Sequence, residues 1–291
     1  MTPVELPLDR RSVLVRGLAV IFVAALLFGA MAVSVRLAAR EMASSQVAFV
    51  RFAGSLLVLL ALGRGRGLRP RPGNAQQVLL RALLGVVSIL FYYRGIQNAG
   101  AGFATLLQCT YPVFTALFAT TLMGEKFDAR LAAALGLNLT GVFIVLGPSA
   151  DVSPARLMGG LSALGAAAFS GGAVATARQL RASESAYLIT TYFMAVGTLF
   201  TAPSLLIGLP ALSNGMLIAL TSVVLTSVAG QFLLHQGLGF APATQGSLAA
   251  ATSVVTAAAL EALLLGDRPS PHTLVGACLM IGAVALAISR S

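Results

Sequence analysis

The sequence predicts an all-α integral membrane protein whose ten transmembrane helices form two inverted five-helix repeats around a central cavity. Three observations predict it. The composition is apolar, with a mean hydropathy of +0.90, 57% hydrophobic residues and 10% charged ones, where a soluble domain carries about a quarter charged residues. Ten apolar runs are long enough to cross a bilayer. The chain also repeats itself: Leu233 to Arg268 falls without a gap on Phe91 to Lys126, pairing Gly95 with Gly237, Leu106 with Leu248, Thr110 with Thr252, Val113 with Val255 and Gly124 with Gly266, while Glu125-Lys126 meets Asp267-Arg268. A unit present twice places its working cavity between the copies.

Taken in order, the chain opens with Arg10, Arg11 and Arg16 ahead of an apolar run, a pattern that superficially resembles a signal peptide. The run reaches Val35, too long for a signal and without a clear cleavage site, so it is expected to be the first span. A hydrocarbon core of about 30 Å needs about 20 apolar residues at 1.5 Å each. On that criterion the spans are approximately 14–36, 46–63, 78–98, 102–123, 130–148, 157–178, 186–208, 213–234, 243–265 and 271–289. Connections are short except for 63–77 and 147–156; the second divides a first repeat, residues 1–149, from a second, residues 150–291. No stretch is long and polar enough for a soluble domain.

The formal charge of +10 does not point to nucleic acid, because the only lysine is Lys126 and the arginines stand singly or in one short cluster between apolar runs. Positive-inside asymmetry explains it. Arg64, Arg66, Arg69, Arg71, Arg81, Lys126, Arg130, Arg178 and Arg181 fall on the side of the N-terminus, whereas the other side keeps Arg36, Arg40, Arg156 and Arg268, so both termini are expected in the cytoplasm. Five spans per copy is an odd number, so the second copy enters the membrane upside down, the arrangement that lets a carrier open to either side of a midplane site. Cys109 and Cys278 both lie in apolar runs and read as small packing residues, implying neither a disulfide framework nor a metal site.

Several residues bring the chain close to a known family. Arg51-Phe52 stands early in the second span. The block FYYRGIQNAGAGFATLLQCTYPVFTALFATTLMGEK carries Pro112 in an apolar helix that closes on Gly124-Glu125-Lys126, and its echo ends LLLGDR. Together these resemble the drug/metabolite transporter superfamily, specifically its EamA-type exporters, over essentially the whole chain. The narrower similarity is to bacterial amino-acid exporters, including those for aromatic amino acids, which implies a multi-pass protein of the bacterial inner membrane with an amino acid or similar metabolite as cargo. One departure is visible: the second copy usually has a proline where this chain has Val254, which leaves matched kinks in the two copies open.

Candidate cavity residues follow from polar faces that lipid would not tolerate. In the fourth span Thr105, Gln108, Pro112 and Thr115 share one face. Pro112 there frees the carbonyl of Gln108, and Tyr111 adjoins them. The ninth span carries Gln245, Thr252 and Thr256 on one face, the third Ser88, Tyr92 and Gly95, and the eighth Gln231 and His235 one turn apart. For Thr105, Gln108 and Thr115 the alternative is helix packing, since Thr and small residues bind membrane helices together; Tyr92 either stacks on a flat or apolar substrate or belongs to the interfacial aromatic belt. The abundant glycines read as packing residues too, with Gly171-Gly172 as a candidate hinge. Arg51, Arg94 and Glu261 lie inside spans, where charge is costly; either Glu261 pairs with Arg94 or Arg51 as an external closure, or each snorkels independently.

No phosphate loop occurs, so ATP is not the direct drive. Facilitated diffusion is expected first and proton exchange second, since the only titrating groups on offer are Glu261 and His235. An intramembrane enzyme would need paired acids, a Ser-His pair or metal ligands at depth, and a channel would need charged rings or a carbonyl filter; neither pattern is present. The expected contacts are a small-molecule substrate and membrane lipid, with no cofactor, no metal and no obligatory protein partner.

Overall fold

The computed structural model describes residues 10–63, 67–99, 104, 107–146, 154–208, 213–265 and 271–288, and these residues are helical or lie in the turns between helices. The elements are α1 (Arg10–Ala38), α2 (Ser44–Gly63), α3 (Ala75–Ala99), α4 (Tyr111–Met123), α5 (Ala129–Leu146), α6 (Pro154–Leu180), α7 (Ala186–Thr201), α8 (Asn214–Gly237), α9 (Ala243–Ala251), α10 (Ser253–Leu265) and α11 (Pro271–Ile288), with a 3-10 segment, Ala202–Ile207, prolonging α7. Helices α1, α2, α3, α6, α7 and α8 are each long and apolar enough to cross a membrane. The fourth span is helical at 107–108 and continues as α4, and the ninth is α9 plus α10, which with α5 and α11 makes ten.

Local chemistry sets the helix ends. Ser185 and Ser213, in extended backbone, accept the N–H of Leu188 and of Met216 at 3.1 Å and so start α7 and α8. Gly124 closes α4 at φ 65°, a left-handed conformation that costs glycine nothing.

The packing obeys a two-fold relation that exchanges each span for the one five places on. Helix α3 packs on α6 and, correspondingly, α8 on α1; α4 packs on α6 as α10 does on α1; α2 meets α7, and α5 meets α11. Glycines mark the repeated crossings. A Cβ on Gly95 would come within 3.1 Å of the Gly159 carbonyl oxygen, and one on Gly237 within 2.7 Å of that of Gly17; Gly95 and Gly237, like Gly17 and Gly159, are repeat counterparts. The first helix of each copy thus leaves its own copy and packs into the other. One cluster joins Ile21 and Ala24 of α1, Val174 and Ala177 of α6, and Leu234, Ala249 and Ala250 from α8 and α9. Small residues let these backbones approach closely, which supplies the dispersion contacts that hold helices together in lipid.

At Gly171-Gly172, the candidate hinge, the same symmetry places a helix crossing. Helix α6 runs unbroken from Pro154 to Leu180. A Cβ on Gly171 would lie 2.5 Å from Phe114 Cβ and 2.7 Å from Thr115 N, and one on Gly29 would lie 2.6 Å from Thr256 Cβ and 2.8 Å from Ala257 N. Gly171 is therefore the counterpart of Gly29, and both are crossing points.

Candidate functional site

The sequence predicts one continuous helix for each of the fourth and ninth spans; both are broken, at matched positions. Thr110 donates its N–H to Leu107 O at 3.2 Å and its hydroxyl to the same oxygen at 2.6 Å. Thr252 donates its N–H to Ala249 O at 3.3 Å and its hydroxyl at 2.6 Å. In each copy the next carbonyl-capped turn follows, Val113 N–H to Thr110 O and Val255 N–H to Thr252 O, both at 3.0 Å. A three-residue bond doubled by a side chain replaces the four-residue ladder and tightens the helix into a turn. Pro112 lies at the start of α4, where a missing N–H costs nothing. Val254 in place of a proline therefore does not prevent matched kinks.

The breaks face each other's copy. Tyr111 donates its hydroxyl to Ser247 O on α9 at 2.9 Å, tying the fourth span to the ninth just beside the turns. Pro112 is buried there, and Cys109 packs with Val142, Ala251 and Met280. Against the other side of the fourth span a hydroxyl chain runs from α3 to α6: Ser88 donates to Ala166 O at 2.8 Å and shares a 2.7 Å hydrogen bond with Ser170, whose hydroxyl accepts from Gln108 Nε2 at 2.8 Å. The Gln108 Oε1 is buried without a hydrogen-bond partner.

One family model matches the chain twice, over residues 15–147 and 157–289, and it describes the EamA-like transporter family. The chain belongs to the EamA-like transporter family. It is a transporter of the drug/metabolite type rather than an enzyme, and its family implies a small-molecule substrate. Its relatives include "Pseudopaline exporter CntI" of Pseudomonas aeruginosa, 26% identical over 281 residues that cover 94% of this chain and 96% of that protein. Solute carrier family 35 member G1 of Homo sapiens is 24% identical over 228 residues, 73% of this chain and 62% of that one. A solved crystal structure superposes with a TM-score of 0.79 at 19% identity, covering 94% of this chain and 96% of the other, a likeness of fold.

Within this EamA-like fold the other expected site residues separate into distinct places. On α8, Gln231 and His235 are both buried. Thr190 on α7 gives its single hydroxyl hydrogen to Ala186 O at 2.7 Å, so at its 2.7 Å contact with His235 Nδ1 it accepts. His235 Nδ1 thereby donates to Thr190, and its Nε2 lies 3.3 Å from Gln231 Nε2. Gln245 donates to Ala287 O on α11 at 2.9 Å, and Thr256 lies against Gly29 of α1. Tyr92 packs beside the cluster of Phe52, Phe193 and Met194, its ring 6.0 Å from that of Tyr93.

Arg51 is buried, its Nε donating to Ser227 Oγ on α8 at 2.8 Å. Arg94 is exposed and, with Ser45, Leu90, Tyr93 and Asn98, lines a cavity of about 390 Å³ at the C-terminal end of α3. Thr105 and the side chain of Glu261 lie outside the described residues, and so does the expected ion pair.

Sequence reasoning passed over Ser170, Thr190 and the part played by Glu125. Pro242 offers no side-chain oxygen to cap α9. Glu125, swung across by the left-handed Gly124, accepts the N–H of Ala243 at 2.8 Å and the hydroxyl of Thr244 at 3.3 Å. The signal was the matched pair Glu125-Lys126 and Asp267-Arg268, a charge fixed at one place in both copies. Arg81, counted with the rim charges, is 3% exposed inside α3; it falls within the predicted third span, which was signal enough.

Proposed function

We propose that this transporter exports small metabolites across the bacterial inner membrane by alternating access, with amino acids, aromatic ones and their analogues included, as cargo and without coupling to another ion. The observation that carries the reading is the pair of matched breaks at Thr110 and Thr252, where two broken spans of opposite direction meet beside neutral amide and hydroxyl groups. Broken helices expose backbone polar groups at membrane depth, which is tolerated where they line a cavity. The free Oε1 of Gln108 is an acceptor suited to an ammonium group.

The cavity then comprises Ser88, Tyr92, Gln108, Tyr111, Pro112, Gln231, His235 and Thr252, joined by Thr105, Gln245 and Thr256 as the copies move. Residues 1–149 and 150–291 are the two units that trade places, with both termini in the cytoplasm. Arg51, Arg94 and Glu261 belong to the external closure. Uncoupled transport is supported by His235, whose two ring nitrogens both lie against uncharged groups, the Thr190 hydroxyl and the Gln231 amide. Proton exchange is the second reading, favoured by the presence of that buried imidazole on α8.

Purified protein in liposomes, given a panel of labelled amino acids and pseudopaline with and without a pH gradient, tests this. Saturable downhill flux of an amino acid that a pH gradient leaves unchanged is expected. Uphill accumulation driven by the gradient selects proton exchange, and flux of pseudopaline alone overturns the amino-acid assignment.

A further inference from the structure

Helix α3 starts at Ala75, so Arg81 lies nearly two turns inside it. Its guanidinium stacks over the Phe193 ring of α7, with Cζ 4.4 Å from the ring centroid. The slot is made by Gly85: a Cβ there would stand 2.7 Å from Arg81 Nη1 and 2.7 Å from the Phe193 ring. The Nε and Nη1 of Arg81 have no hydrogen-bond partner.

The neighbouring groups do not neutralise it. His235 is engaged by Thr190 and Gln231, and Arg181 brings a second cation, its Nε donating to His235 O at 2.8 Å. Glu184 turns its Oε1 to Arg71 N and Asn74 Nδ2, each at 2.7 Å.

The matched crossing in the other copy is filled differently. Arg51 and Phe193 are repeat counterparts, as are Gly85 and Ser227. Where α2 crosses α8, Arg51 has Ser227 as acceptor at 2.8 Å; where α7 crosses α3 the matched pair is Phe193 against Gly85, and Arg81, whose own counterpart is Val223, lies over that ring with Nε and Nη1 unpaired. Stacking on a ring returns only part of the cost of burying a guanidinium, and in a membrane protein a buried charge with unmade hydrogen bonds marks a ligand path.

We propose that Arg81 is the anion-binding group of this carrier and takes the carboxylate of the cargo through its unused Nε–H and Nη1–H bonds. This rests on the reading of the cargo as an amino acid or similar carboxylate. Ser88, with Ser170 and Gln108, lies seven residues further along α3, about 10 Å at 1.5 Å per residue. Arg81 is thus the station nearer the face that carries the termini, and the first to meet a solute entering there.

The test combines transport and binding. In liposomes, flux of a labelled amino acid is competed with the unlabelled acid and with its carboxamide, for the wild type, Arg81→Met, Arg81→Lys and Gly85→Ala, each checked for folding by size exclusion. In detergent, melting temperatures are read with sodium acetate against sodium chloride at equal concentration. The wild type should prefer acid to amide at least tenfold. Arg81→Met should erase that preference and raise KM about tenfold to a hundredfold, the range for a lost hydrogen bond to a charged group, and acetate should stabilise the wild type more than Arg81→Met. If Arg81→Met does not fold, Arg81→Lys and Gly85→Ala, which displace the donors without removing the charge, should blunt the preference.

An Arg81→Met protein that still tells acid from amide overturns the inference and leaves the exporter reading intact. Equal stabilisation by chloride, with acid and amide competing equally, also overturns it, assigning the site to an inorganic anion. No amino-acid flux, together with Arg81-dependent stabilisation by acetate, retains the anion site and refutes the exporter's cargo.

Discussion

Thr110 and Thr252 are repeat counterparts, and each turns its hydroxyl back onto the carbonyl three residues earlier at 2.6 Å, breaking its own span at the same point. The device does not depend on proline. Because the bond is local, each copy forms it without help from the other, and because the spans run in opposite directions the two turns approach from opposite sides.

Val254→Pro tests that independence. Position 254 is the second residue of α10, where the proline ring suits the backbone and the absent N–H is harmless. The variant should fold with an unchanged or higher melting temperature and transport within about twofold of wild type, against the roughly 3 kcal/mol a proline costs inside a helix. A drop of several degrees would show that the Val254 N–H is in use.

Gly171→Ala and Gly29→Ala should each destabilise the protein by about 1–3 kcal/mol, as overpacking does. Their Cβ atoms would arrive 2.5 Å and 2.6 Å from the facing helix. Matched losses in denaturant or thermal unfolding are expected because the two sites are equivalent. Unchanged stability with reduced flux at Gly171 alone would restore the hinge.

Gln108→Leu removes the donor to Ser170 together with the unpaired Oε1. Replacing a group that is half satisfied by an apolar one of similar size should leave stability within about 1 kcal/mol. Cargo KM should rise about tenfold, and a flux assay showing wild-type KM would remove Gln108 from the cavity.

Glu125→Ala takes the cap from α9 and should cost about 1–2 kcal/mol, whereas Glu125→Gln keeps an acceptor and loses only the charge-dipole part, about 0.3–1 kcal/mol. Because the carboxylate joins the first copy to the second, both variants should also speed maleimide labelling of a Thr244→Cys background from the face that carries the termini. Identical losses for Gln and Ala would mean that the charge, not the cap, holds the two copies.

Much of this protein is written in local chemistry. Apolar runs long enough to cross a bilayer, and a repeat that pairs Gly95 with Gly237 and Thr110 with Thr252, determined ten spans and their inversion, because length and parity need no knowledge of contacts. Which face a polar residue presents, and to whom, was decided only on packing. The sequence put Gln108 and Gln245 on polar faces of matched spans; packing sends the amide of Gln245 to a carbonyl of α11 and that of Gln108 to the hydroxyl of Ser170 on α6. Arg51 and Arg81 are both arginines in apolar helices; Arg51 faces Ser227 and has an acceptor, whereas Arg81 faces the Phe193 ring, which leaves its Nε and Nη1 unpaired. Burial and hydrogen-bond partnership are properties of pairs drawn from distant parts of the chain, so periodicity sets where a side chain points and the crossing of helices sets what it meets.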